Sequence, residues 1–313
     1  MSTSRVDEHV APSSSPLGVG AAIAAVTAWG FGNTVIASVP LPGTAVAFWR
    51  LSFAVALYVP ILYLRGGRLS RRSFRAGWRG GVAFGVDIAA FFVAIHLTTV
   101  ANATTINALQ PLVIMGFAAV MFGERIRSRH VVCAVTATVG VGLVAFGAAS
   151  SGTGSLAGDL MAVVALFCWA WYFIESKSAR TRLDTFEYMT VMNIVALLVV
   201  APIALFTGSL TGGGEGLGAG TALTILLIVL IPGSGHILIN WAHGHTTLVL
   251  TSLITLGMPV LSTLSAAIFL DQEVVAVQVA GIAAVLASLA VVIVGDARAA
   301  PGAPTVEATE PAP

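Results

Sequence analysis

The chain has 313 residues, a net charge of +1, 57% hydrophobic residues and only 9% charged residues. A soluble domain carries roughly 25% charged residues, so this composition excludes an ordinary soluble enzyme. The basic residues are not gathered on a soluble surface, so we expect no nucleic-acid partner. The composition predicts a protein that resides in the lipid bilayer.

Ten apolar stretches are each long enough, at about 20 residues, to cross the hydrocarbon core as a helix. They fall at 17–38, 44–64, 79–98, 103–122, 130–148, 157–176, 186–206, 220–242, 247–269 and 274–295. Lipid cannot pair with open backbone groups, and these stretches are much longer than a barrel strand. The predicted fold class is an all-α membrane protein with ten transmembrane helices.

The Lys and Arg residues are sorted to one side of the predicted spans. They occupy the two tails and the loops around 65–79, 125–129 and 177–182, while the alternate loops near 39–43, 99–102, 149–156, 207–219 and 270–273 contain none. Basic loops face the cytoplasm, so we expect a multi-pass protein of the cell membrane with both termini cytoplasmic. Arg50 alone lies well inside a span.

Two segments repeat at a spacing of 148 positions: Thr104–Pro111 and Ser252–Pro259. Because each half has an odd number of spans, five, the second half must cross in the opposite sense to the first. Such inverted repeats are the architecture of many secondary transporters. The predicted organisation is a disordered tail at 1–16, a first repeat at 17–148, a linker at 149–156, a second repeat at 157–295 and a disordered tail at 296–313.

The most distinctive motifs are Trp29-Gly30, Arg50, Ala108-Leu109-Gln110-Pro111 continuing to Gly123-Glu124-Arg125, Gly140, Gly142 and Pro259. Together they resemble the EamA family of the drug/metabolite transporter superfamily. The resemblance implies export of small metabolites, often amino acids or drug-like compounds, commonly coupled to proton entry. One departure is that Asp271-Gln272-Glu273 stands where the family pattern favours Gly-Glu.

Two charged residues lie within the first half of the bundle. Asp87 is near the middle of the third span, where a carboxylate costs about 2.5–3.5 kcal/mol and is expected to face a cavity or a partner. Burial favours the protonated form of a carboxyl group, so Asp87 is a candidate proton or substrate site, with a structural role as the alternative. Arg50 is expected either to pair with Asp87 or to bind a substrate carboxylate.

The second half places neutral polar groups at comparable depths. Asn193 mirrors Arg50, and His236 adjoins Gly235, which is 148 positions after Asp87. His236 is a candidate for proton transfer near neutral pH, although a lone histidine in an apolar helix is also a common packing residue. Asn240 shares the helix face of His236 because it lies four residues later.

Two prolines interrupt apolar spans at matching positions. Pro111 and Pro259 each remove a helical hydrogen bond, which predicts helix hinges that free the carbonyls of Asn107 and Thr255. Asn107 and Gln110 project on similar faces and are candidate substrate contacts. A bend needed only for packing is the alternative to a gating hinge.

The remaining candidates are aromatic. Trp29, Trp169 and Tyr172 could stack on a ligand, although aromatic residues near span ends also anchor the membrane interface. No cluster has the spacing of metal ligands, so we expect no metal and no other cofactor. Small-residue faces serve internal and external contacts alike, so a homodimer is an alternative to a monomer.

These features predict a proton-coupled secondary transporter that exports a small-molecule substrate by alternating access, and not an enzyme. A phosphate-binding GxxxxGK[ST] loop is absent from the sequence, which disfavours direct drive by ATP. A passive facilitator of the same fold is the main alternative. An intramembrane serine protease is disfavoured because the residues before Ser234 and His236 do not match a GxSG nucleophile motif.

Overall fold

The computed structural model describes residues 15–98, 100–147, 155–208, 210, 217–269 and 271–299. Within these ranges the chain forms thirteen α-helices and no strands. The helices are α1 (Pro16–Ala37), α2 (Gly43–Leu64), α3 (Arg71–Leu97), α4 (Val100–Asn107), α5 (Gln110–Phe122), α6 (Ser128–Gly147), α7 (Leu156–Ala179), α8 (Thr185–Phe206), α9 (Ala219–Leu230), α10 (Pro232–His243), α11 (Leu248–Thr255), α12 (Met258–Phe269) and α13 (Ala276–Ala299). Most of the predicted tails and linker lies outside the described residues.

Eight helical segments in the described ranges are long and apolar enough to cross a membrane. Three of them combine two short helices: α4 with α5, α9 with α10, and α11 with α12. The two remaining predicted spans coincide with α1 and α3, which are helical but are not among these eight. The fold is therefore an all-helical bundle with eight candidate spans.

The three interruptions within the described spans all occur at proline. Pro111, Pro232 and Pro259 each occupy the first turn of the second helix of a pair. Proline lacks the backbone donor that would continue the preceding helix, but it fits a helical first turn. The breaks before α5 and α12 lie at equivalent positions of the two halves.

Matching serines cap the first helix of each half. Ser15 and Ser155 accept hydrogen bonds from the backbone amides of Gly18 and Gly158, at 3.0 and 3.1 Å. These caps satisfy amides that have no partner within the helix. The same glycines allow a connection of the opposite half to approach, since a Cβ at Gly158 would lie 2.5 Å from the Thr98 amide nitrogen and one at Gly18 would lie 2.9 Å from the His245 carbonyl oxygen. Both halves thus begin with a serine-capped helix whose first turn contains a closely packed glycine.

Helix packing follows the same pattern in both halves. Helix α3 packs against α7 and α8, and in the same way α9 and α10 pack against α1 and α2. Helices α2 and α8 contact each other, and so do α6 and α13. The interrupted span α4–α5 contacts the interrupted span α11–α12. Exchanging the halves leaves this pattern of contacts unchanged.

Helix α13 extends past the predicted start of the C-terminal tail at 296. Asp296 accepts a hydrogen bond from Arg129 and also lies 3.0 Å from His130 Nε2. This charged cluster ties the last turn of α13 to the first turn of α6, so the helix continues to Ala299. The apolar pattern of the sequence alone does not register this contact.

Glycines bring α6 and α13 into backbone contact. A Cβ at Gly140 would lie 2.7 Å from the carbonyl oxygen of Gly281, closer than real Cβ atoms approach. Small residues that allow such approach are a common basis of helix association in membranes.

We expect Gly140→Ala to lower the unfolding temperature in detergent, because overpacking a close crossing costs about 1–3 kcal/mol. Gly116→Ala is the matched control, since a Cβ at Gly116 has no neighbour within 4 Å. Thermal unfolding of the two variants and the wild type provides the comparison. Equal unfolding temperatures for both variants would contradict the close α6–α13 crossing.

Candidate functional site

A cavity of about 150 Å³ lies where the interrupted span α4–α5 of the first half meets the interrupted span α11–α12 of the second half. Residues beside the two helix breaks form most of its wall, and α1, α3 and α7 supply the rest. The lining residues are Trp29, Asp87, Phe91, Thr104, Asn107, Ala108, Gln110, Trp169, Thr255, Leu256, Met258 and Pro259. Six of these are residues that the sequence predicted as site or hinge residues.

Asp87 is the only charged residue among the described lining residues. It is 6% exposed, and no described residue forms a hydrogen bond or ion pair with its carboxyl group. A buried carboxylate without a partner is costly in a membrane and marks a candidate functional group. The cavity is therefore the place where Asp87 can meet a proton or a ligand.

Trp29 and Trp169 come from equivalent positions of the two halves and meet at the cavity. Their ring centroids are 5.7 Å apart in an edge-to-face arrangement. The indole nitrogens of both are buried, and neither donates a hydrogen bond to a described residue. Trp29 is buried and Trp169 is half-buried, so both contribute to the wall between the two halves.

A hydrogen bond joins the two helix breaks directly. Gln110 Nε2, at the start of α5, donates to Thr255 Oγ1, at the end of α11, over 2.6 Å. Asn107 lines the cavity one turn before Gln110 and has no hydrogen-bonding partner among the described residues. The structure thus places both predicted amide contacts at the cavity, next to buried Pro111.

Arg50 contacts His236 and Phe84. Its Nη2 lies 3.2 Å from His236 Nε2, and its guanidinium carbon lies 5.6 Å from the centre of the Phe84 ring. No ion pair joins Arg50 to Asp87 in the described part of the chain. The expected pairing assumed that α2 and α3 pack closely, but α3 packs mainly on α7 and α8.

A second, much smaller cavity of about 10 Å³ lies beside the Arg50–His236 contact. Arg50, Asn193 and His236 are among its lining residues. Asn193 donates to the carbonyl of Met189 in its own helix over 2.7 Å, so its amide is already engaged. These three predicted residues lie together as a group beside the main cavity, and none of them is among its described lining residues.

Tyr172 and Asn240 belong to a buried polar seam between α7 and α10. Asn240 donates to the Tyr172 hydroxyl and to the His236 carbonyl, both over 2.6 Å, and accepts from Ser176. Ser176 also contacts His243 Nδ1 at 2.8 Å. These groups satisfy one another, and neither Tyr172 nor Asn240 lines the main cavity.

Glu124 forms a buried clamp that the sequence analysis did not predict. Its two carboxylate oxygens accept from the backbone amides of Leu248 and Val249, at 2.7 and 3.0 Å, at the start of α11. Lys177 Nζ lies 3.2 Å from the same carboxylate and donates to the Thr246 carbonyl over 2.8 Å. The clamp joins the ends of α5 and α7 to the N-terminus of α11, where the helix dipole favours a negative charge.

The second half lacks this clamp. Gly123 and Asp271, 148 positions apart, both have positive φ angles, 62° and 52°, so the backbone turns alike after both interrupted spans. Asp is among the few residues besides glycine that tolerate this conformation. Gln272 occupies the position equivalent to Glu124 but is exposed, whereas Glu124 is 5% exposed. The Asp271-Gln272 departure therefore preserves the turn and removes the buried charge.

A family model for EamA-like transporters matches residues 16–146 and 156–294. The chain belongs to the EamA-like transporter family. This family is of the drug/metabolite transporter type, so the protein is a multi-pass membrane protein built from two EamA repeats. The two matched segments correspond to the two halves that share their caps, helix breaks and packing.

Comparison with solved structures gives the same fold. One of them, titled only "Crystal structure of protein", superposes with a TM-score of 0.75 at 22% sequence identity, covering 90% of this chain and 98% of the other. At that identity the likeness shows the fold alone. No curated protein matches the chain significantly.

We expect Glu124→Ala to destabilise the protein strongly, because removing one partner of a buried ion pair costs about 3–5 kcal/mol. The matched control is Gln272→Ala at the equivalent exposed position, where a surface change costs within about 0.5 kcal/mol. Thermal unfolding of the purified variants measures both effects.

A second substitution tests the cause. Adding Lys177→Met to Glu124→Ala removes the unpaired charge and is expected to restore part of the lost stability. Equal unfolding temperatures for Glu124→Ala and Gln272→Ala would contradict the clamp.

Proposed function

We propose that the protein is a secondary transporter that exports a small metabolite by alternating access and is driven by proton entry. Its family membership supports a transport function. The observation that carries the proposal is the cavity between the two helix breaks, with the unpaired carboxyl group of Asp87 in its wall. A site at the meeting of two repeats is the arrangement from which either side of a membrane can be reached in turn.

The proposed topology has ten spans, with α1 and α3 added to the eight candidates. The first turns of α3 carry Arg71, Arg72, Arg75 and Arg79, which suits the cytoplasmic interface and leaves the rest of the helix to cross the bilayer. The helix contacts are the same when the two halves are exchanged, which supports a pair of repeats. With five spans in each half, the second repeat crosses the membrane in the opposite sense to the first. Both termini are then cytoplasmic.

The two ends of the bundle differ in a way that supports a directional cycle. The Glu124–Lys177 clamp closes the end that carries the basic loops, and exposed Gln272 lies at the equivalent point of the other end. We propose that this conformation is closed towards the cytoplasm. Opening inward then requires the carboxylate to leave the α11 amides and Lys177.

Asp87 is the proposed site of proton coupling. Its neutral form avoids the cost of a buried charge, about 2.5–3.5 kcal/mol at the bilayer centre. A proton taken up from outside therefore stabilises the empty carrier, and its release inside recreates the carboxylate. Replacing Asp87 by Asn keeps the size of the side chain but removes the titration.

Export is tested by comparing spent medium from cells that express the wild type, Asp87→Asn, Glu175→Gln or no transporter. Glu175 is the matched control because its carboxylate lies 3.9 Å from Arg79, away from the main cavity. We expect a compound class to rise outside wild-type and Glu175→Gln cells only. Untargeted mass spectrometry, with expression matched by blotting membranes, gives the readout.

Three results would contradict parts of this proposal. No accumulation in any sample would contradict export. Accumulation with Asp87→Asn equal to wild type would remove Asp87 from the mechanism. Flux that does not change with an imposed proton gradient would favour a passive facilitator.

A further inference from the structure

We infer that the main cavity binds a small organic cation, with a protonated amine beside an aromatic or apolar body. This inference rests on the proposed transport function and adds the chemical class of the substrate. It comes from the charges and aromatic groups that the cavity presents, and from the arginine that it does not present.

The charge argument begins with Asp87. It is the one charged group among the described lining residues, and no described residue forms a hydrogen bond or ion pair with its carboxyl group. A protonated amine supplies both the opposite charge and hydrogen-bond donors, which a carboxylate needs when it is removed from water. A proton and a cationic ligand then satisfy the same group in turn.

The position of Arg50 decides against an acid or a zwitterion. A substrate carboxylate needs a cation, and Arg50 is the nearby candidate, but its guanidinium contacts His236 and the Phe84 ring outside the main cavity. The His236 ring is itself held, with its centroid 4.8 Å from that of Trp29 and 4.9 Å from that of Phe84. His236 therefore acts as a positioning residue that holds the guanidinium outside the main cavity, from where its charge acts on Asp87 without a direct ion pair.

The rest of the wall suits the body of such a ligand. Trp29, Trp169 and Phe91 supply aromatic surface, and indole faces attract cations. Asn107 adds an unpartnered amide that can orient a polar substituent. The volume of about 150 Å³ suits a single-ring compound or one of similar size.

Three probes with the same phenyl group and different charges test the inference: phenethylamine, phenylalanine and 3-phenylpropionate. Binding to the purified full-length protein in lipid nanodiscs is measured by isothermal titration calorimetry. We expect phenethylamine to bind about 10- to 100-fold more tightly than the other two, the range typical of one hydrogen bond to a charged group.

Two variants locate the preference. Asp87→Asn is expected to reduce the preference for phenethylamine to less than about threefold, since the opposing charge is gone. His236→Phe keeps a ring in place but removes the acceptor that holds Arg50, so it is expected to weaken phenethylamine and strengthen 3-phenylpropionate. Glu175→Gln is expected to behave as wild type.

The wild-type series alone can overturn the inference, even if a variant fails to fold. No phenethylamine binding, or binding no tighter than that of phenylalanine or 3-phenylpropionate, would refute a cation site. If export that depends on Asp87 persisted under that result, the proposed function would stand and only the substrate class would fall. If phenethylamine bound selectively but no export occurred, the site would stand and the transport proposal would fall.

Discussion

The bilayer offers no hydrogen-bonding partner to an open backbone, and this constraint determines where the site can be. A break within a span is tolerated where it is buried in protein or lines a cavity. The breaks before Pro111 and Pro259 both lie at the main cavity, and the Gln110–Thr255 hydrogen bond joins them. Because these two breaks lie together, they form a cavity that contains amide groups and is lined by residues of both repeats.

Symmetry of the backbone coexists with asymmetry of the charges. Asp87 corresponds to Gly235 in the second half, where a Cβ would lie 2.6 Å from the indole nitrogen of Trp29. A second carboxylate there is incompatible with the tryptophan that walls the cavity. Likewise, buried Glu124 corresponds to exposed Gln272. One carboxylate in the centre and one at one end make the two halves chemically different.

The sequence was sufficient to place the helices and their breaks because hydropathy and proline are local signals. Asp87, Asn107 and Gln110 were found for the same reason, since each is polar at a depth where polar groups are costly. The contact of Arg50 with His236, 186 positions apart, was not predictable from depth in the membrane. Depth gives a height along the bundle, whereas contact also depends on which helices are neighbours.

The Glu124 clamp was missed for a related reason. The Gly-Glu pair was recognised as a motif, but its partners are the backbone amides of Leu248 and Val249 and the amine of Lys177. Backbone amides at the start of a helix cannot be recognised from residue types. Lys177 was interpreted only as a basic residue at the end of a span, so its pairing with Glu124 was not predicted. The equivalent turns at Gly123 and Asp271 were not predicted either. The two residues adopt the same backbone conformation there, but their side chains have nothing in common that a sequence comparison would detect.

The central claim is that one cavity between the two repeats is reached from both sides of the membrane in turn. The most direct measurement places a cysteine at Asn107, after Cys133 and Cys168 are replaced by alanine, and applies a membrane-impermeant thiol reagent to intact cells and to inside-out vesicles. The account predicts labelling from both sides, with Glu124→Gln increasing the rate from the cytoplasmic side. Labelling from one side only, unchanged by Glu124→Gln, would contradict it.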